Sequence, residues 1–233
     1  MLLLDGKNYL VLGGISAILM SITYIVIQDI LEYFVGISSL ADLHTSFGYM
    51  IDPETLYHLG MILMFISIMG MLVGVGYLGG SKKFSRTSGL VAGIFEILRF
   101  LGLLFISVSL VWASRIVKKI NAEDLIAFIG SIMDLIGQIV VLLLLFIIGA
   151  VLFAFFTLLG FFSSLIYFIK SEKGKFGIIG IILIYMGLMS MILLMHSPIL
   201  IAGYIIIGLT MIRQANVKTE YEEPEEYGSL KYE

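Results

Sequence analysis

The chain contains no cysteine among its 233 residues, and it contains only three prolines. The absence of cysteine excludes disulfides, thiolate metal ligands, iron–sulfur clusters and cysteine nucleophiles. It carries no information about the compartment, because proteins embedded in lipid rarely need disulfides. We predict no cleavable signal peptide, because residues 9–27 are long enough to stay in a membrane and no small-residue cleavage site follows them.

Charged residues are also scarce, at 13% of the chain, whereas 60% of the residues are hydrophobic. Soluble domains are about half apolar and about a quarter charged. The apolar excess is therefore expected to face lipid. Each backbone group in hydrocarbon must find its partner within its own segment, and the apolar runs lack the alternation of barrel strands, so they predict helices. No basic cluster indicates a nucleic-acid partner.

Six apolar runs are long enough, or nearly so, to cross a bilayer. They are residues 9–27, 56–78, 88–112, 139–169, 176–195 and 199–212. These runs predict an all-α, polytopic transmembrane helix bundle of about six spans within residues 1–213. Residues 214–233 are acidic and rich in tyrosine, and we expect a disordered cytoplasmic tail because the segment cannot bury enough apolar area to fold alone.

Residues 121–138 differ from the runs around them. Polar residues recur there at helical spacing on one face: Asp124, Ser131, Asp134 and Gln138. The pattern predicts one additional amphipathic helix, which lies in the membrane interface or spans with its polar face inward. The apolar run that follows would be about 46 Å long as a helix, so it is expected to tilt, to protrude or to break near Gly149 or Gly160.

Basic residues orient the predicted spans. The loops at 82–86 and 170–175 fall on the same side as Lys7 and Arg213, so we expect both termini in the cytoplasm and the protein in the plasma membrane. The basic residues that end the third span then fall outside, against the rule. A seven-span alternative divides residues 124–169 in two and places the two basic loops on opposite sides.

The most informative stretch is 88–112, because it carries Glu96 and Arg99 near the middle of an apolar run. A charge at the bilayer centre costs roughly 2.5–3.5 kcal/mol on insertion scales. The spacing i,i+3 allows the two side chains to pair along one helix face. One hypothesis is a solute, ion or proton site within the bundle. The other, which we favour, is a self-neutralising pair that fixes the rotation and packing of the helix.

Asp134 and Gln138 are the second candidate pair. If their helix enters the bundle, Asp134 could reach Arg99 and the site would become a triad with Glu96. If the helix lies in the interface, both residues face water, and the sequence favours this interpretation.

The chain has three histidines, His44, His58 and His196, and all are predicted on the outer side together with several carboxylates. Histidine with carboxylate is metal-ligand chemistry. However, the three histidines belong to three different segments, and no two have ligand spacing on one helix. We therefore predict no metal site and no cofactor, and interpret them as separate interface residues.

No nucleophile elbow, phosphate loop, zinc-protease motif or dinucleotide fingerprint occurs in a suitable context. We therefore predict that the protein is not an enzyme. Glycines instead recur at small-xxx-small spacing, as in Gly70 with Gly74 and Gly89 with Gly93. This spacing indicates helices that approach each other closely.

Two hairpins share a pattern of glycine, isoleucine and leucine around short lysine–phenylalanine loops, at 82–94 (KKFSRTSGLVAGI) and 174–182 (GKFGIIGII). This pattern resembles uncharacterised multi-pass membrane proteins of archaea. The resemblance implies a helical multi-span topology in a prokaryotic plasma membrane, and it brings no known activity or site residues.

Two classes of function remain open from the sequence. The first, which we favour, is an interaction protein: a subunit or assembly factor of a larger membrane complex, with membrane-protein partners or further copies of itself in the lipid bilayer. The second is a small-solute or ion transporter or channel built around Glu96 and Arg99. For a transporter we would expect more polar residues on several facing helices, and only 88–112 clearly has them.

Overall fold

A computed structural model describes residues 6–35, 53–84, 87–122, 125–171, 174–194 and 198–217. All secondary structure within these ranges is helical, which confirms the predicted all-α class. The helices are α1 (Gly6–Val35), α2 (Pro53–Phe84), α3 (Thr87–Ala122), α4 (Leu125–Lys170), α5 (Lys175–Leu194) and α6 (Pro198–Ala215). Of the predicted tail, residues 214–233, Gln214 and Ala215 are the last residues of α6, and the residues from 218 onward lie outside the described ones.

Prolines begin two of these helices. Pro53 is the first residue of α2, and Pro198 is the first residue of α6. Proline suits this position, because its missing N–H would have no helical partner there and its φ is already helical. α2 also continues through Lys82 and Lys83 of the predicted 82–86 loop and ends at Phe84.

The structure differs from the sequence prediction around residues 121–138. Asn121 and Ala122 end α3, and from Leu125 a single unbroken helix of 46 residues runs to Lys170. The amphipathic stretch is therefore the first part of α4 rather than a separate helix, and α4 does not break at Gly149 or Gly160. No proline occurs between Leu125 and Lys170, so no residue of this stretch forces the helix to end.

Five of the described helices are long and apolar enough to cross a membrane: α1, α2, α3, α4 and α6. The described part of α5 that is apolar, Lys175–Leu188, is shorter. The protein thus has the helices of a membrane-embedded protein, as the composition predicts.

The helices form a closed ring. Each one packs antiparallel against the next helix along the chain, and α1 packs against α6 to close the circuit. Among these neighbours, α4 and α5 make the fewest contacts, which leaves a thinner seam between them. The residues buried in the ring are mostly apolar and aromatic, and include Leu10, Tyr77, Phe100, Tyr167 and Tyr204. The ring brings side chains of distant segments to one interior.

Candidate functional site: a buried arginine at the centre of the ring

Glu96 and Arg99 lie on the inward face of α3, one helical turn apart. The Arg99 side chain is 2% exposed and the Glu96 side chain is 7% exposed. Arg99 Nη1 donates to both carboxylate oxygens of Glu96, at 3.2 Å and 3.3 Å. The two opposite charges are therefore paired within one helix, and their formal charges sum to zero.

Arg99 also connects α3 with the opposite side of the ring. Its Nη2 donates a hydrogen bond of 3.0 Å to the hydroxyl oxygen of Tyr204 on α6. The Tyr204 ring stacks on Tyr24 of α1, with 5.8 Å between ring centroids. Through this arginine, three helices that are far apart in the sequence share one polar contact region.

Aromatic rings enclose the rest of the guanidinium group. Its central carbon lies 4.7 Å from the ring centroid of Phe100, 5.6 Å from that of Phe153 and 5.9 Å from that of Tyr185. A cation at such distances from an aromatic face is attracted by the ring quadrupole, more strongly when water is excluded. These contacts add α4 and α5 to the surroundings of Arg99 at the seam between those helices.

Tyr185 is itself held in place by a hydrogen bond across the seam. Its hydroxyl donates to the backbone carbonyl of Thr157 on α4, at 2.6 Å. That carbonyl is within α4, and an additional donor satisfies its second lone pair. The polar interior therefore contains one contact that joins α4 to α5, the pair of neighbours with the fewest contacts.

One polar atom of the site has no partner within the described part of the chain. Arg99 Nε is buried and makes no hydrogen bond. A buried donor without a partner costs about 1–3 kcal/mol of desolvation. Arg99, the positively charged residue of the site, therefore retains one N–H group, at Nε, that donates to no described atom.

The first part of α4 places Asp134 and Gln138 away from this centre. Asp134 is exposed, and Gln138 Nε2 donates to its carboxylate at 3.0 Å. Arg99 contacts α4 at Phe153, which lies about 28 Å farther along the helix than Asp134. The geometry thus separates the four polar residues into two pairs, and the hypothetical triad with Asp134 does not form.

His58 is the histidine that the described residues include. It is exposed near the start of α2, and its Nδ1 lies 2.7 Å from the backbone carbonyl oxygen of Glu54, to which it donates. His44 and His196 lie outside the described residues. Within the ranges that the structure covers, no group of three metal-ligating side chains occurs.

A second buried polar cluster lies away from Arg99, at the C-terminal end of α6. The Tyr167 hydroxyl donates to Gln214 Oε1 at 3.1 Å, and Gln214 Nε2 donates to Ser171 Oγ. Beside it, Lys83 Nζ donates to the carbonyl of Ala215 at 2.7 Å. These bonds hold the last turn of α6 against α2 and α4.

Sequence reasoning missed Tyr24, Tyr185 and Tyr204 as members of the central site. Tyrosine is common in this chain, with 12 copies. With so many tyrosines, composition does not single out the three that lie near Arg99. Sequence spacing does not either, because the three tyrosines are on helices far apart in the sequence.

The chain matches no family model, no curated protein and no solved structure with which it was compared.

Proposed function

We propose that this protein is an integral membrane interaction protein, a subunit or assembly factor of a larger membrane complex. One observation carries the proposal. In the most apolar windows of α1, α2, α3 and α6, 39–50% of the residues are buried inside the chain, whereas in α4 the share is 6%. α4 is also the most apolar candidate span, with a mean hydropathy of 3.3. A helix that the described part of its own chain buries so little presents its apolar side chains to lipid and to the helices of membrane-protein partners, which associate in a bilayer through close packing.

The interior of the ring supports the same proposal. Glu96 bonds Arg99, Arg99 bonds Tyr204, and Tyr167 bonds Gln214, so the strongest polar groups are used in contacts between or within helices. Such bonds help to hold helices together in a bilayer. Hydrophobic burial does not drive helix association there, because lipid tails are as apolar as the helix surfaces. These bonds are the contacts expected of a rigid scaffold that presents an outer face.

We further propose that all six described helices span a prokaryotic plasma membrane, with both termini in the cytoplasm. α5 has 20 residues, about 30 Å as a helix, which matches the hydrocarbon core. Basic residues collect at one end of the ring, where Lys82 lies over the Tyr9 ring and Arg213 lies over the Phe176 ring. The excess of lysine and arginine at that end favours the cytoplasmic side. Arg115 and Lys118, at the opposite end of α3, oppose this orientation.

The test is the native mass of the protein extracted from its own membrane in mild detergent. Partners in fixed stoichiometry, or a discrete oligomer, are the expected result. A single chain without protein partners would contradict the proposal. Labelling of single cysteines introduced at Lys7 and Lys118 with a membrane-impermeant reagent tests the orientation, since only the cysteine at Lys118 should react from outside intact cells.

A second candidate is a small-solute or ion transporter, and one observation favours it. The buried Arg99 guanidinium contacts three other helices, α4, α5 and α6, and its Nε donor has no hydrogen-bond partner among the described residues. Charged residues inside a membrane bundle often mark transport pathways. Flux measured in vesicles with Glu96→Gln separates the two functions. Loss of a measurable flux in a variant of unchanged thermal stability supports the transporter, whereas no flux in the unmodified protein excludes it for the solutes used.

A further inference from the structure

α2 and α3 approach each other closely where glycines of one helix face the other. A methyl group added to Gly74 would lie 2.9 Å from the backbone oxygen of Gly93, and one added to Gly60 would lie 2.9 Å from that of Ser107. Small residues at such glycine crossings allow two helix backbones to come together. Beside the Gly60 crossing, an open groove lies between the two helices.

The groove has a volume of about 380 Å³, and among the described residues its lining comes from α2 and α3 alone. The lining residues are Met64, Val108, Val111, Trp112 and Arg115. The last four stand at i, i+3, i+4 and i+7, which is one face of a helix. Volumes of about 300–1,000 Å³ and a mostly apolar lining with few polar groups are typical of ligand sites. We refer to these five residues as the α2–α3 groove.

The lining changes from apolar to charged towards the end of α3. The apolar run of this helix ends at Trp112, and Arg115 follows one turn later. Along the helix, Val108 lies about 14 Å and Arg115 about 24 Å from Arg99, which is near the middle of that run. Half of the hydrocarbon core measures about 15 Å, and the headgroup region continues beyond it. Val108 is therefore at the depth of the acyl chains, and Arg115 is at the depth of the lipid headgroups.

Trp112 and Arg115 carry the chemistry that suits a phospholipid headgroup. Tryptophan is enriched at the boundary between membrane and water, because its ring is apolar and its N–H is polar. The arginine guanidinium donates parallel hydrogen bonds to phosphate oxygens. Arg115 is exposed and forms no ion pair with a described residue. The groove thus offers an apolar surface and then a cation, in the order in which a phospholipid carries its chain and its phosphate.

We infer that the α2–α3 groove binds one phospholipid of net negative charge, with an acyl chain along Val108 and Val111 and the phosphate at Arg115. Lipid surrounds this surface in a bilayer, so the occupant is present at high concentration. The groove adds a preference, because a zwitterionic headgroup carries an ammonium group that the guanidinium repels. Phosphates occur in both leaflets, so the inference holds for either orientation of the bundle. It goes beyond the proposed interaction function and does not depend on a protein partner.

Fluorescence of Trp112 tests the inference directly, since it is the only tryptophan of the chain. Bromine atoms on an acyl chain quench tryptophan on contact. The full chain in nanodiscs of zwitterionic lipid should therefore lose fluorescence when phosphatidylglycerol with a brominated chain is introduced. Half-maximal quenching should need about fivefold more brominated phosphatidylcholine, which is the preference that one arginine near a membrane surface provides.

Two variants with matched controls separate the charge from the shape of the groove. Arg115→Gln should remove the preference, so that both brominated lipids quench alike. Lys170→Gln removes the same charge from an exposed residue at the opposite end of the bundle, and its preference should persist. Val108→Phe adds bulk to the groove and should reduce quenching by both lipids, whereas Val91→Phe, at an exposed position near the start of α3, should not. Thermal unfolding of each variant establishes that it is folded.

Three results would overturn the inference. The first is equal quenching of the unmodified protein by the two brominated lipids. The second is an equal loss of preference in Arg115→Gln and Lys170→Gln, which would indicate attraction to the charge of the whole bundle. The third is quenching by neither lipid, which would mean that another part of the chain or a partner protein covers the groove.

Inorganic phosphate distinguishes a lipid site from a simple phosphate site. Phosphate has no acyl chain to occupy the apolar part of the groove. It should therefore displace brominated phosphatidylglycerol no better than chloride does at the same ionic strength. Recovery of Trp112 fluorescence with phosphate but not with chloride would contradict the lipid assignment.

Discussion

α3 and α4 are neighbours in the chain and in the ring, but they relate to their surroundings in opposite ways. α3 has the lower mean hydropathy, 2.2 against 3.3, and carries both Glu96 and Arg99. It nevertheless buries 39% of its most apolar window, against 6% for α4. The helix with charges is thus enclosed, and the helix with the highest hydropathy is exposed.

The difference between these helices reverses the rule for soluble proteins, in which apolar residues are the buried ones. In a bilayer the surrounding lipid is as apolar as leucine, so exposure of α4 has little free-energy cost. Charges have the opposite preference, because lipid offers them neither water nor hydrogen-bond partners. In this protein, polarity rather than hydrophobicity indicates which side of a helix faces the interior.

The largest effect is expected from Arg99→Leu. This change leaves Glu96 buried without its partner, and loss of one member of a buried ion pair typically costs about 3–5 kcal/mol. We expect a corresponding fall in the free energy of unfolding, measured by denaturant unfolding in detergent micelles. The double variant Glu96→Gln with Arg99→Leu is the control and should recover much of the loss, because no charge then remains buried. A double variant as unstable as Arg99→Leu would show that shape, not charge, governs the site.

Tyr204→Phe should come next. The substitution removes the hydroxyl that accepts from Arg99 Nη2 and keeps the ring that stacks on Tyr24. Hydrogen bonds to charged groups contribute about 1.5–3 kcal/mol. Thermal and denaturant unfolding should show a loss in this range. Tyr57→Phe, at an exposed position near the start of α2, is the matched control and should behave like the unmodified protein.

Glycines on α3 and α4 provide a third comparison. A methyl group at Gly102 would lie 2.6 Å from the backbone nitrogen of Phe153, so Gly102→Ala should force the helices apart. Overpacking of this kind costs about 1–3 kcal/mol. Gly137→Ala should instead stabilise the single chain by about 0.5–1 kcal/mol, because alanine is the better helix former and no described atom lies within 4 Å of the added methyl group. Opposite signs of the change in unfolding free energy are the expected result, and equal signs would contradict it.

The smallest effect is expected from Leu143→Ala. Leu143 is 51% exposed, and its side chain leaves one apolar environment for another when the protein unfolds within the membrane. Its loss should change the free energy of unfolding by less than about 0.5 kcal/mol. Leu10→Ala, at a fully buried position of α1, is the contrasting variant and should cost about 2–5 kcal/mol. A large loss from Leu143→Ala would mean that a protein surface covers that side of α4.

Much of the helical framework follows from local sequence features. The apolar runs locate the helices, Pro53 and Pro198 begin two of them, and the spacing of Glu96 and Arg99 allows the observed pair. Local patterns are sufficient here because helix formation and i,i+3 pairing involve only neighbouring residues. The same reasoning misjudged residues 121–138, since a polar face can occur within a longer helix as readily as in a separate one.

The remaining partners of the central arginine were beyond sequence reasoning. Tyr24 and Tyr204 are 180 residues apart in the numbering, and only closure of the ring through α1 and α6 stacks one on the other. Many other tyrosines would satisfy the same composition. Which hydroxyl reaches Arg99 depends on the rotation and depth of each helix, and these are set by packing at the glycine crossings.

The sequence alone determined that this protein is a bundle of membrane-type helices with one ion pair on α3, because hydrophobicity and helical spacing are local properties. Only the tertiary structure decided that Arg99 lies at the centre of a ring, that Asp134 does not reach it, and that Gly137 has no neighbour among the described residues. Those facts depend on which helices meet, at what depth and with which faces. The position of each helix depends on its packing against the other helices, so local sequence features cannot determine it.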